Sequence, residues 1–321
     1  MKTLTLVLAV ILVGCSGKSE SKSGSVSESK TNSKSQKSVA PDPEKQKAAI
    51  AAIEKLGGNA YVDPKKPFKP VTAVSFQGNK ISNAGLIHLG ELTGLQSIFL
   101  NHTKIGDGGL AHLKGLFNLK SLHLSLTNIT NAGLINLTGL TKLEELHLHH
   151  TRIGDEGLFH LQGLTKLRVL HLWKTNVTDA GLLHLKKLTS LETLDLSDTI
   201  ITDAGLGHLS GLTNLNNLSI GTIRVTNSGL IHIKKLTRLT ELDLIGAKVS
   251  DAGLVHLKDL KNLKVLSLNV TPVSDAGLVH LRGLTNLENL DLWNTKVTPD
   301  GVKKLQAALP KCKISLQLRS R

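Results

Sequence analysis

Histidines repeated at intervals of 24 residues are the part of this 321-residue chain best suited to chemistry. His123, His147 and His171 share one register, and Asp195 stands in the next copy of it. His149 and His150 follow His147 closely, and Trp173 and Lys174 hold the equivalent places one interval on. Neutral imidazoles with a carboxylate suit zinc or copper. On adjacent strands the four registered residues would stand about 4.8 Å apart, close enough to share an ion. A straight row of side chains does not converge tetrahedrally, and the sequence reveals no outer shell to orient it. The other chemistry is recognition, because an exposed tryptophan among histidines and a lysine has the composition of an interface hot spot. The candidate binding residues are therefore His123, His147, His149, His150, His171, Trp173, Lys174 and, far along the chain, Trp293. His123, His147, His171 and Asp195 form the alternative metal set, and no cofactor is assigned. No nucleophile elbow, phosphate loop or HExxH is present, so no catalytic residue is named and the chain reads as a non-enzyme.

A unit of 24 residues that runs without insertion or deletion from Phe68 to Ala307, ten copies in all, must position these side chains. A fixed internal period of this length dictates a solenoid. With Leu140 as step one, Leu143, Leu146 and Leu148 occupy steps four, seven and nine. Alternation with period two makes this stretch a strand, with its leucines on one face and Glu145 and His147 on the other. Thr151 marks step twelve, where the chain leaves the strand, and a β-branched residue such as Ile153 follows. Step fifteen is Ser, Thr or Gly in every copy, the composition of a helix N-cap. Asp or Asn usually follows, where a carboxylate suits the helix dipole, and Pro299 takes that place in the last copy. A short helix should then run to about step twenty-three. Gly157, Leu158 and Leu161 form its inner side, the glycine lets it lie close to the sheet, and a terminal glycine such as Gly163 caps it. Strands are narrower than helices, so stacking curves the array into a horseshoe with a concave sheet.

The pattern LxxLxLxxTxVTDAGLxHL resembles the leucine-rich-repeat superfamily over about 250 residues. The resemblance implies a right-handed α/β solenoid, with a parallel sheet on the concave face and short helices on the convex face. The repeat subtype is similar to the cysteine-containing class of F-box proteins, although no F-box precedes it. The whole layout resembles leucine-rich-repeat lipoproteins of planctomycete bacteria.

The ends speak to location. Residues 1–14 carry Lys2 and then an apolar run from Leu4 to Val13, too short to span a bilayer, which reads as a signal peptide. Leu12-Val13-Gly14-Cys15 resembles a lipobox and implies lipidation of Cys15, hence a lipoprotein anchored at the cell envelope and facing the periplasm or exterior. Residues 15–41 are rich in Ser and Lys and bury too little to order, so they form a tether with a mean span of about 28 Å. Residues 42–67 contain a helix with Ile50, Ile53 and Leu56 on one stripe. With Tyr61 and Phe68 it should cap the first repeat, and residues 308–321 supply a closing strand with Ile314 and Leu316 inward.

The formal net charge is +14, partly from the tether. A basic tether favours anionic headgroups. Nucleic acid is the competing partner of a basic chain, but the export signal and the acids on the sheet argue against it. Only Cys15 and Cys312 exist, so lipidation of the first leaves no intrachain disulfide. The expectation is a monomer whose concave face binds a protein, or a glycan, at the envelope. The alternative is a structural spacer or self-associating component.

Overall fold

The computed structural model describes residues 42–76 and 81–316. The signal segment 1–14, Cys15, the tether as far as residue 41, and residues 317–321 lie outside them. Among the described residues no helix is long and apolar enough to cross a membrane.

One sheet of twelve strands runs in strict chain order. The strands are β1 (Gly58–Val62), β2 (Val71–Phe76), β3 (Ser97–Phe99), β4 (Ser121–His123), β5 (Glu145–His147), β6 (Val169–His171), β7 (Thr193–Asp195), β8 (Asn217–Ser219), β9 (Glu241–Asp243), β10 (Val265–Ser267), β11 (Asn289–Asp291) and β12 (Lys313–Ser315). From β2 onward every pairing is parallel and joins equivalent steps, as in Leu122↔Leu146↔Leu170. The leucines of steps one, four, seven, nine, nineteen and twenty-two are buried throughout, and Leu140, Leu143, Leu146, Leu148, Leu158 and Leu161 are all 0% exposed. Thr151 at step twelve is buried, its hydroxyl donating to Leu148 O, and Thr127, Thr175 and Thr199 repeat the bond. The helical part covers nearly the expected steps but is mixed in type: one α turn such as Asp179–Leu182, then a 3₁₀ turn such as Leu183–Leu185.

The repeats are joined by a contact that the sequence reading had assigned to the helix dipole. At nine successive junctions the step-sixteen side chain accepts, at 2.7–2.8 Å, the backbone N–H of step fifteen in the next repeat. Where that next residue is Thr or Ser and the acceptor is Asp, the hydroxyl also donates to the carboxylate, at 2.5–2.7 Å. Gly106 and Gly154 offer no hydroxyl, and there the acceptor is Asn83 or Asn131. Asn227 meets Ser250 differently: its amide donates to the Ser250 hydroxyl while its oxygen takes the N–H. Charge is thus used where two donors meet it.

The same contact explains the step-eighteen glycine. A Cβ on Gly133 would stand 2.5 Å from Asp107 Oδ1, and one on Gly157 would stand 2.8 Å from Asn131 Oδ1. The glycine makes room for the side chain of the preceding repeat, rather than for the sheet. Terminal glycines such as Gly115 and Gly163 have open space around the missing Cβ and no left-handed φ, so they are not the helix caps expected.

The N-terminal cap is a helix, Pro43–Lys55, whose N-cap Asp42 accepts from the amides of Glu44 and Lys45. Ala49 and Ile53 are buried, with Ile50 and Leu56 packed beside them. Gly57, at φ +79°, turns the chain into β1, which pairs antiparallel with β2 and covers its edge. The sequence reading missed this strand and expected Tyr61 and Phe68 to cover the core. They are exposed instead, because β1 turns Tyr61 toward Ser75 and Phe68 sits in a turn at φ +63°. At the other end β12 closes the array with Ile314 and Leu316 against the core. Cys312 is a free, buried thiol whose pKa burial pushes up to about 11.

Asp179→Ala should cost about 1–3 kcal/mol, because the Thr202 amide and hydroxyl lose their acceptor. Asp179→Asn should cost under about 1 kcal/mol, since Asn227 and Ser250 show the neutral version of the same bond pair. Urea unfolding of the two variants measures the difference.

Candidate functional site

Steps six and eight lie on the open face of the sheet, and the 24-residue register stacks equivalent steps directly. Step eight reads Phe99, His123, His147, His171, Asp195, Ser219, Asp243, Ser267, Asp291 along β3 to β11. At the following turn, step eleven is left-handed from His102 to Asn294, with φ between +53° and +68°. Gly246, Asp198 and Asn294 are of types that tolerate this region, whereas Thr222 and Val270 are β-branched residues under strain. The turn directs the His150 amide to Trp173 O and the Lys174 amide to Ser197 O, both at 2.9 Å, continuing the ladder past the strand. This turn is not legible in the repeat pattern, because side chains of many classes occupy the position.

The predicted histidine column is present. His123 and His147 stack with ring centres 3.9 Å apart and planes 15° apart, and His171 stacks on His147 at 4.6 Å. Phe99 closes the column beside His123 at 4.6 Å. At the other end His171 Nδ1 approaches Asp195 Oδ2 at 3.7 Å. Burial, reinforced by the neighbouring imidazoles, lowers the pKa of His123 to about 4 and of His147 to about 3. Burial and the same kind of repulsion, from His171 and His150, lower that of His149. For Asp195, burial favours the neutral acid but the bonds from His171 and Ser197 prevail and lower its pKa. Asp243 is raised by burial and by Asp195 and Asp291, against a bond from the Ile245 amide.

The four residues of the predicted metal set share the column, but they do not share a centre. The group whose ligand atoms all lie within 4.8 Å of one another is His123, Glu145 and His147. Glu145 is at step six, beside the column, so a comparison of equivalent positions does not bring it together with the histidines of step eight.

Trp173 is half-buried rather than solvent-facing, because His150 packs edge-on at 4.3 Å and His149 lies at 5.5 Å. Trp293 is 48% exposed, five repeats away, and Lys174 is exposed. Trp173 walls a shallow hollow of about 270 Å³, with Asp195, Asp243, Ser197, Ser219, Gly221, Thr222 and Ile245 around it. The hollow exists because small residues replace rings on the neighbouring strands. Ser125 Oγ and His149 Nδ1, adjacent in the step-ten row, are buried without a hydrogen-bond partner. Such groups cost about 1–3 kcal/mol each, so this region is not arranged for stability alone.

A larger groove of about 980 Å³ runs along steps three and five, lined by Lys166, Arg168, Glu192, Arg238, Lys264 and several asparagines. The sequence reading overlooked it, although the sign alternation Lys120, Glu144, Arg168, Glu192 at step five was visible. These charges largely satisfy one another across strands: Lys120–Glu144 at 3.0 Å, Arg168–Glu192 at 2.7 Å and Lys264–Glu288 at 3.0 Å. The eight histidines of step twenty-one, such as His160 and His184, are half-buried on the helix side, as the repeat predicts.

The depressed values in the column set a pH response. Folded His123 and His147 release their protons near pH 4 and 3, whereas the unfolded chain holds them up to about pH 6.5. Between these limits the unfolded state binds more protons, so stability is full above about pH 6.5 and declines as pH falls toward 4. His149, lowered by burial and by neighbouring imidazoles in the same way, shares in the response. In chelator-containing buffer, the melting temperature of His147→Asn should fall less steeply over this range than that of the parent.

Leucine-rich-repeat descriptions match this chain in three stretches: "Leucine Rich repeat" at residues 115–137 and 139–161, and "Leucine Rich repeats (2 copies)" at residues 165–208. No curated protein matches it. Among solved structures it is similar to an internalin from Listeria monocytogenes, at 21% identity and a TM-score of 0.53, over 85% of this chain and 95% of that one. It is also similar to a TDR receptor, at 17% identity and a TM-score of 0.54, over 78% of this chain and 42% of that one. The chain therefore spans less than half the length of that receptor, and both likenesses speak to fold alone. Strand order, buried leucines and these likenesses agree that the chain is built as a leucine-rich-repeat solenoid.

Proposed function

We propose that this chain is a non-enzymatic binding protein that recognises a protein partner on the open face of its sheet. The observation that carries this reading is the hollow beside Trp173, where an aromatic wall meets Asp195 and Asp243 over a floor of small residues. A basic side chain of the partner fits it, gaining a cation–π contact and a carboxylate. His123 and His147, further along the same face, are uncharged at neutral pH and offer a flat, weakly polar shoulder for the rest of the interface. The same aromatic and hydrogen-bonding groups would also hold a sugar ring, so a glycan is the other ligand class the test can reveal.

We place this binding face at the cell envelope, on a monomer tethered by a lipid on Cys15, as in leucine-rich-repeat lipoproteins; the support is the Leu-Val-Gly-Cys sequence after a short apolar run. A second reading, self-association, is favoured by one observation. Ile87, Ile135, Phe159, Leu183, Ile231 and Val279, all at step twenty, are exposed in a row on the helix side. Light scattering that shows a concentration-dependent oligomer dispersed by Phe159→Asp would support it over the monomeric binder.

Two measurements test the main reading. With the partner captured from the native envelope, Trp173→Ala should weaken binding by at least about 2 kcal/mol, whereas Trp293→Ala should act independently and weakly. Affinity unchanged by Trp173→Ala in a folded chain would place recognition elsewhere. Cys15→Ser should lose lipid labelling and move from the membrane fraction to the soluble one; unchanged fractionation would remove the anchor from the proposal.

A further inference from the structure

Steps six and eight of adjacent strands form a two-by-two patch on the open face: Ser121 and His123 on β4, Glu145 and His147 on β5. The two histidines are paired across the strands, and Glu145 is paired with Ser121. Ligand atoms of His123, Glu145 and His147 lie within 4.8 Å of one another. The fourth corner supports them: the buried Ser121 hydroxyl donates to Glu145 Oε2 at 2.9 Å and contacts His123 Nε2 at 3.0 Å. Phe99 packs against His123 from the far side and limits where that ring can go.

We propose that His123, Glu145 and His147 bind one divalent transition-metal ion of the zinc class, at a site separate from the hollow beside Trp173. Two borderline nitrogen ligands and one carboxylate are the donor set such an ion takes, with the remaining position open to solvent or to a donor from a partner. A hydroxyl that orients the carboxylate is the outer-shell support that was missing from the sequence. The site does not extend along the column, because His171 turns its Nδ1 toward Asp195. Nor does it recur: among the described residues no other three His, Cys, Asp or Glu side chains meet in this way.

The geometry states what loading must change. Imidazole lone pairs lie in the ring plane, and the two rings are stacked only 15° from parallel. Both nitrogens can point at one ion only if a ring turns about its Cβ–Cγ bond, exchanging the stack for a metal bond. His147 is half-buried with an open side, and Glu145 is exposed, so these two can move while His123 stays against Phe99. Bond lengths of roughly 2.0–2.2 Å then require the ligand atoms to close by about 1 Å from their present spacing.

The test is calorimetric titration of the purified full-length protein, free of any polyhistidine tag and stripped with chelator, using zinc ion alone at neutral pH. One equivalent should bind. Glu145→Gln and His147→Asn should each weaken binding at least about tenfold, whereas His208→Ala, on the helix side, should leave it unchanged. X-ray absorption at the zinc edge of the loaded wild-type protein should count two imidazoles with lighter oxygen donors. A wild-type chain that takes up no zinc at micromolar concentration overturns the site. So do full affinity in a Glu145→Gln chain that melts like the parent, loss of affinity in His208→Ala, and a zinc-edge count other than two imidazoles.

Discussion

The rest of the structure depends on one bond, from the backbone amide at step fifteen to the carboxylate or carboxamide of the preceding repeat. Helix starts leave amides without partners inside the helix. In this chain Thr178 and Thr202 at the N-cap accept first-turn amides through their hydroxyls, while their own amides, just outside the helix, take a partner from 23 residues earlier. That bond fixes the spacing of neighbouring turns, while the parallel ladder fixes that of neighbouring strands. A residue inserted anywhere in a unit would bring one of the two out of register, which accounts for a period kept without interruption from Phe68 to Ala307. It also accounts for the glycine at step eighteen, whose missing Cβ is the space that the acceptor fills.

Fixing the interior leaves the open face free to vary, and its variation is ordered. Step eight is aromatic or imidazole from Phe99 to His171, then alternates acid and hydroxyl from Asp195 to Asp291. Rings in register on adjacent strands must stack, so the first half becomes a close-packed column. Short acids in the same register bend back to their own turns, as Asp195 does to the Ser197 amide and Asp243 to the Ile245 amide. The change from rings to short side chains is what opens the hollow, and Trp173 stands at the border.

The fold was legible because its signals are repeated ten times. Each leucine position, the strand face and the histidine column follow from a period and an alternation, and the structure places Leu148 inside and His147 outside as that alternation requires. What escaped were contacts between units. The role of Asp179 needs Thr202 and Gly205 of the next repeat, and the role of Glu145 needs Ser121 of the one before. A reading that compares equivalent steps sees likeness, whereas these contacts join unlike steps. The strand β1 escaped for another reason: it lies outside the repeat, and only the unpaired edge of β2 calls for it.

Electrostatics gives the open face a direction. Burial disfavours the charged form of a ring inside the stack and the neighbouring imidazoles add repulsion, so His147, in the middle, falls furthest. His123 and His147 therefore contribute no positive charge at neutral pH, although six of the fourteen histidines lie on this face. Asp195 stays ionised at the column's end. Neutral rings at one end and carboxylates at the other make a surface along which a partner's charge is read by position. A basic group is drawn toward Asp195 and Asp243, and the rings beside it reject nothing but a badly fitting shape. Selectivity on this face thus rests on the order of side chains from one repeat to the next, which the junction bonds hold constant.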